Sequence, residues 1–232
     1  MTRFQTKIFL SLIPMCSNEM RALVIERGLQ YLGFASPELF ELTKMNSGKL
    51  FLLNSMAQKV GISISYARKA KENFSLMGLT SAGELGIDVE YWPKRISDSD
   101  FLHTIASDED AQVLTLFRRS GHDVGIALWA IKEAALKCSG EVMTDPRCLR
   151  VSSMTGDIFR VSTSVLATAP LPDVDVRLTI LTKNDELESS YIVAIALPKD
   201  NYPRKLELIS VHLDPEGWQI APFGEFDPQR LG

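Results

Sequence analysis

Cysteine and histidine are both scarce in this chain, with three of each among 232 residues. Three cysteines cannot all pair with one another, and a sparse, odd count is typical of proteins from a reducing compartment. The cysteines form no Cys-x-x-Cys pair, and the histidines are widely scattered along the sequence. The sequence therefore favours a cytoplasmic protein without a zinc site built from cysteine and histidine.

Long apolar runs and an excess of positive charge are also missing. No apolar stretch approaches the ~20 residues of a membrane span, so a membrane protein is not expected. Because 29 acidic residues outnumber 25 basic ones, the chain is not expected to bind nucleic acid. Residues 8–16 follow Arg3 and Lys7 and resemble a poor signal peptide, but Pro14 interrupts them, and an edge strand is the preferred interpretation.

The chain has the composition of an ordinary globular protein, with 45% apolar and 23% charged residues. This composition excludes a mostly disordered or coiled-coil chain. The apolar run 6–14 predicts a strand, and the broad apolar face between Ser17 and Gly33 predicts a helix. Alternating apolar and polar residues predict further strands at 61–67, 73–79 and 84–90.

The rest of the chain repeats this order of helix and sheet. The sequence predicts helices over 108–119 and 123–139, strands near 158–166, 174–182 and 190–197, and a last hairpin of 206–213 with 217–222. Two such units predict an α+β fold with two related halves, each a helix packed on a small antiparallel sheet. We place the N-terminal half at 1–84 and the C-terminal half at 85–232.

A pair of acidic residues stands on the strand Gly86-Ile87-Asp88-Val89-Glu90. Since alternate strand residues point to opposite faces, Ile87 and Val89 would enter the core, while Asp88 and Glu90 would share the other face. Two neighbouring carboxylates suit Mg²⁺, which takes hard oxygen ligands together with substrate phosphates. The alternative is an exposed acidic strand end, which the spacing alone favours.

A second motif, Trp-x-x-Lys-Glu-Ala-x-x-Lys, occupies the predicted helix over 123–139. Trp129, Glu133 and Lys137 are spaced four apart and would form one stripe of the helix. The alternative interpretation is an ordinary amphipathic helix with a Glu-to-Lys pair on its surface.

Together the two motifs, about 40 residues apart, resemble those of the 4′-phosphopantetheinyl transferases. Length and the order of the two halves favour the monomeric, surfactin-type branch. Residues 190–196 resemble the late strand of the family, and Ile62-Ser63-Ile64-Ser65 stands where the family has a strand leading into a Ser-His pair. The resemblance covers residues 61–197.

The resemblance implies a pseudo-dimeric fold and transfer of 4′-phosphopantetheine from coenzyme A to a serine of an acyl or peptidyl carrier protein. It implies that Asp88, Glu90 and Glu133 bind Mg²⁺, and that Glu133 accepts the proton of the serine. Lys137 would contact the pyrophosphate and stabilise the leaving group, with Lys132 in a supporting role.

Contacts to the nucleotide of coenzyme A follow from the same resemblance. Lys49 matches a Gly-Lys of the family, and Arg21 is a candidate for its basic N-terminal residue. Ser65 matches the family serine, but Tyr66 replaces the histidine, and Arg68 could supply the missing positive charge. This departure supports one alternative, a transferase-like protein that binds coenzyme A or a carrier without turnover. A further alternative is a scaffold or interaction protein in which both motifs are coincidences.

Overall fold

The computed structural model describes residues 7–13, 18–69, 72–92, 99–118, 123–140, 145–155, 157–167, 170–183, 191–199, 208–212 and 218–222. Two sheets and four α-helices form this part of the chain. None of the described helices is long and apolar enough to cross a bilayer.

The first sheet contains β1 (Ile8–Ile13), β2 (Phe40–Lys44), β3 (Leu50–Asn54), β4 (Lys59–Lys69) and β5 (Glu72–Thr80). These strands are antiparallel to their neighbours in the order β1-β5-β4-β3-β2. The helix α1 (Asn18–Tyr31) lies between β1 and β2 in the sequence, followed by a 3₁₀ turn at Pro37–Leu39.

The second sheet contains β6 (Gly86–Tyr91), β7 (Leu149–Thr155), β8 (Ile158–Thr163), β9 (Val174–Lys183) and β10 (Tyr191–Pro198). The strand order is β6-β10-β9-β8-β7, again antiparallel. Three helices separate β6 from β7: α2 (Ser99–Ile105), α3 (Ala111–Arg118) and α4 (Val124–Ser139).

The two sheets therefore have the same topology. In each, the first strand pairs with the fifth, followed by the fourth, third and second, and the helices follow the first strand. This arrangement confirms the predicted α+β fold with two related halves. The exact domain limits, 1–84 and 85–232, stay a prediction.

The core is arranged in layers. Val24 and Leu29 of α1 pack with Phe9 and Met77 on the outer face of the first sheet. The inner faces of the two sheets pack against each other through apolar residues of β1, β5, β6 and β10. On the outer face of the second sheet, α4 packs against alternate residues of β9 and β10. The sheets are thus held face to face, with β6 next to the first half.

The predicted C-terminal hairpin is wrong. Instead of pairing with each other, β11 (Leu208–His212) runs parallel to β1, and β12 (Trp218–Pro222) pairs with β9 beyond the end of β8. Each strand satisfies backbone hydrogen bonds at an edge left free in a different sheet.

Candidate active site

The geometry of the site depends on how closely α4 approaches β6. The side chain of Asp123 begins α4 by accepting a hydrogen bond from Ile126 N at 2.7 Å, and Gly140 ends it at φ +78°. A Cβ atom on Gly86 would lie 1.9 Å from the carbonyl oxygen of Ala134. The missing side chain at Gly86 thus lets the helix lie directly on the strand.

β6 alternates as its sequence predicts. Ile87 and Val89 are completely buried between the sheets, and Asp88, only 3% exposed, points to the other face. Because α4 covers that face, it faces the carboxylates of β6.

Five side chains from the two motifs meet between β6 and α4. Lys137 Nζ donates to Asp88 Oδ1 at 2.6 Å and lies 4.0 Å from Glu133 Oε2. Trp129 Nε1 donates to Glu90 Oε1 at 3.2 Å. Two motifs far apart in the sequence thus form one cluster of three carboxylates, an ammonium and an indole.

Two carboxyl groups of this cluster, those of Glu90 and Glu133, have pKa values above the ordinary value for glutamate. Burial, followed by the negative charge of Asp88, raises the pKa of Glu90 to about 7. Burial also raises the pKa of Glu133, with the charge of Lys137 opposing the change and that of Asp88 adding to it. The single ammonium of Lys137 therefore does not offset the effects that raise the pKa values of Glu90 and Glu133.

The donor set fits a divalent cation by its chemistry. Asp88 Oδ2 is buried and has no hydrogen-bond partner among the described residues. Carboxylate oxygens are the ligands that Mg²⁺ prefers, and a cation would favour the charged forms of Glu90 and Glu133, whose pKa values are raised by burial and by the charge of Asp88. Within the described ranges, no three acidic, histidine or cysteine side chains lie close enough together to hold a metal ion in their present positions. Lys137 Nζ instead donates its hydrogen bond to Asp88 Oδ1.

A cavity of about 800 Å³ opens beside this cluster, between the two halves. Arg21, Ile64 and Tyr66 of the first half line it, opposite Trp129, Glu133 and Lys137 of α4. Its volume is in the range of cofactor pockets. Glu133 and Lys137 therefore belong to both the carboxylate cluster and the cavity wall.

Among the residues expected to contact coenzyme A, Tyr66 and Lys137 face the cavity. Tyr66 is 51% exposed, and its hydroxyl oxygen accepts a hydrogen bond from Arg21 Nη2 at 2.8 Å. The side chain of Arg68 lies outside the described part of the structure.

Lys49 also lines the cavity, but its ammonium is bound to protein groups. It contacts the Glu84 carboxylate and donates to the carbonyl oxygen of Cys138 near the end of α4. Burial alone would raise the pKa of Glu84, but hydrogen bonds from Lys49 and Lys59 outweigh it and hold the pKa below its ordinary value. Lys49 thus links the first half to the end of α4.

Ser65 is buried between the halves. Its hydroxyl donates to Asp88 Oδ1 at 2.9 Å and accepts from Val89 N at 3.2 Å. The neighbouring Ser63 accepts from Ile87 N at 2.9 Å. No role was predicted for Ser63, although its alternation with Ser65 on β4 is visible in the sequence.

Lys132 points away from the carboxylate cluster. Its ammonium is fully buried and lies 2.7–2.9 Å from Asp110 Oδ2 and from the carbonyl oxygens of Ile105, Pro146 and Leu149. Burial lowers the pKa of Lys132, and the charge of Asp110 opposes that change. These contacts connect α4 with the end of α2, the start of β7 and the 3₁₀ turns at Asp108–Asp110 and Pro146–Cys148.

Comparison with known proteins adds one match to this geometry. No curated protein matches the chain. A family model matches over a segment that contains β6, the three helices of the second half, and β7 to β10, and therefore includes the whole carboxylate cluster. The model is that of the 4′-phosphopantetheinyl transferase superfamily, and residues 84–196 match it.

Proposed function

We propose that the chain is a Mg²⁺-dependent 4′-phosphopantetheinyl transferase of the two-half, surfactin type. The observation that carries the proposal is the contact between Lys137 and Asp88, residues 49 apart in the sequence, beside a cavity that both halves line. The superfamily match over residues 84–196 supports this class of reaction.

In the proposed reaction, the hydroxyl oxygen of a carrier serine attacks the phosphorus nearest to the pantetheine. A new phosphoester bond forms, and the bond to the adenosine 3′,5′-bisphosphate leaving group breaks. Glu133 accepts the proton of the serine hydroxyl as the general base. Lys137 stabilises the negative charge of the leaving group.

Asp88, Glu90 and Glu133 would hold the metal ion. When bound, Mg²⁺ supplies positive charge that neutralises the pyrophosphate.

Coenzyme A would occupy the cavity between the halves. We propose that Arg21, Tyr66 and Arg68 contact its phosphates together with Lys137. For Lys49 and Lys132, the protein acceptors already around each ammonium favour a structural role over the coenzyme A contact that the resemblance implies.

The other substrate would be an acyl or peptidyl carrier protein. Because one chain supplies both walls of the cavity, a monomer would be sufficient for activity. We expect the protein to act in the cytoplasm, where coenzyme A and apo-carriers meet.

The second candidate is a transferase-like protein that binds coenzyme A or a carrier without turnover. It is favoured by Tyr66, which replaces the family histidine and carries no positive charge near neutral pH.

Calorimetric titration with coenzyme A, in Mg²⁺ and then in chelator, combined with a transfer assay, separates these candidates. Tight binding that needs Mg²⁺, together with transfer to a carrier, supports the enzyme. Binding without transfer supports the second candidate. Absence of coenzyme A binding in both buffers contradicts the enzyme and leaves the second candidate only as a carrier-binding protein.

A further inference from the structure

Two serines of β4 complete the free edge of β6. Among the described strands, β6 pairs with β10 along one side, and the N–H groups of Ile87 and Val89 on its other side need acceptors. Ser63 Oγ and Ser65 Oγ accept them, at 2.9 and 3.2 Å. The hydroxyl groups thus replace the strand that is missing at this edge, and they tie the first half to the second.

Only one of the two serines also reaches the carboxylate cluster. Ser65 Oγ donates to Asp88 Oδ1 at 2.9 Å and lies 3.4 Å from Lys137 Nζ. A hydroxyl has one proton to donate and two lone pairs, so these three contacts use its full capacity. Ser65 is 4% exposed and is not among the residues that line the cavity.

We infer that Ser65 is a positioning residue that fixes the carboxylate of Asp88 for metal binding. The inference rests on the proposed function, in which Asp88 is a metal ligand. Ser65 and Lys137 hold Oδ1 from different halves of the molecule, so the unpartnered Oδ2 keeps one orientation. Groups that orient a metal ligand in this way affect affinity strongly, and losing one typically costs 10–100-fold.

This role differs from the coenzyme A contact that the resemblance implies for Ser65. It makes the metal site depend on the contact between the halves, because its orienting hydroxyl comes from the first half and its ligands come from the second. Ser63 provides a matched control, since it makes the same kind of bond to β6 without touching a carboxylate.

The test is a titration of the full chain with Mn²⁺, in which the electron paramagnetic resonance signal of free Mn²⁺ measures how much of the ion is bound. We expect Ser65→Ala to weaken binding about tenfold, and Ser63→Ala to leave it within about twofold. Ser65→Thr keeps the hydroxyl and should retain most of the affinity. In the transfer assay, Ser65→Ala should raise the KM for Mg²⁺ more than the KM for coenzyme A.

Circular dichroism checks that each variant is folded. If Ser65→Ala does not fold, Ser65→Cys replaces it, because a thiol keeps the size but is a weak donor.

Equal losses in the Ser63 and Ser65 variants would reduce both serines to structural roles and overturn the inference. If Ser65→Ala raises only the KM for coenzyme A, the inference is overturned in favour of a substrate contact. A parent chain that binds no Mn²⁺ would also overturn the inference, because there would be no metal site to position. If the parent binds Mn²⁺ but transfers nothing, the proposed function fails, while the serine comparison still decides the inference.

Discussion

Arg21 of α1 donates a hydrogen bond to the hydroxyl oxygen of Tyr66 on β4, at 2.8 Å, in the wall of the cavity. Tyr66 stands where the resembled family has a histidine. The guanidinium of Arg21 therefore places a permanent positive charge beside the tyrosine that stands in place of the family histidine.

We predict that Arg21→Ala raises the KM for coenzyme A about tenfold or more, because a charged hydrogen bond to phosphate contributes roughly 1.5–3 kcal/mol. Dephospho-coenzyme A, which lacks the 3′-phosphate, should be affected much less. Steady-state kinetics with both substrates measure this difference. Equal effects on the two would show that Arg21 does not contact the 3′-phosphate.

Arg68 and Tyr66 provide a second comparison for the contact to the 3′-phosphate. If Arg68 supplies the missing phosphate charge, Arg68→Ala should raise the KM for coenzyme A about tenfold and Tyr66→His should change it little. If the loss of the histidine is uncompensated, Tyr66→His should lower the KM instead. No change in either variant would mean that the 3′-phosphate lies elsewhere.

The raised pKa of Glu90 predicts a pH-dependent stability in the metal-free protein. Burial and the charge of Asp88 raise this pKa from 4.5 to about 7. The folded state therefore binds the proton more tightly than the unfolded state, and stability is lost as the pH rises through this window. In chelator, Glu90→Gln should raise the melting temperature at pH 8, by roughly 2–4 °C per kcal/mol of relieved repulsion, and should have little effect at pH 4.

Thermal melts across this pH range measure the effect. Glu41→Gln serves as the control, because Glu41 is exposed on β2. A stabilisation by Glu90→Gln that is equal at pH 4 and pH 8 would contradict the electrostatic explanation.

Lys132 should be essential for stability, since its ammonium is the partner of the buried Asp110. Lys132→Ala leaves that carboxylate buried with only the backbone donors Ser107 N and Val151 N and without a positive charge, which typically costs about 3–5 kcal/mol. Urea unfolding measures the loss. Arg150→Ala removes a half-exposed ion pair with Glu109 nearby and should cost less than about 1 kcal/mol. Comparable losses in both variants would contradict the structural role of Lys132.

The close approach of α4 to β6 predicts that Gly86→Ala destabilises the fold by about 3 kcal/mol or more. The new Cβ would lie 1.9 Å from Ala134 O and 2.5 Å from Cys138 N, and these backbone atoms cannot move without displacing the helix. The control is Gly125→Ala on the same helix, whose nearest contact is a side-chain atom of Phe101 at 3.0 Å. A Gly86→Ala variant as stable as this control would contradict the packing.

The sequence predicted the elements that carry strong local patterns. α4 begins and ends as Asp123 and Gly140 indicate, and β6 alternates between core and cluster. β2 and β3 were not predicted, because β2 is a half-exposed edge strand whose short alternation resembles a loop. β7 was missed as well.

Contacts between the halves could not be predicted from local patterns. Nothing near Ser65 in the sequence indicates that its hydroxyl meets Asp88, and nothing near Lys49 indicates the carbonyl of Cys138. Lys132 shows the same limit from within one half. A lysine on a helix usually faces water, but here four acceptors from neighbouring segments of the second half enclose it.

The central claim is that the cluster of Asp88, Glu90, Glu133 and Lys137 transfers phosphopantetheine. Its most direct test is the intact mass of several apo-carrier proteins after incubation with the chain, coenzyme A and Mg²⁺, beside an Asp88→Ala variant that is shown to be folded. We predict that at least one carrier gains one phosphopantetheinyl group, and that the variant is slower by about a hundredfold or more. Two results would contradict the account: no gain on carriers that an authentic transferase modifies, or an equal gain with the variant.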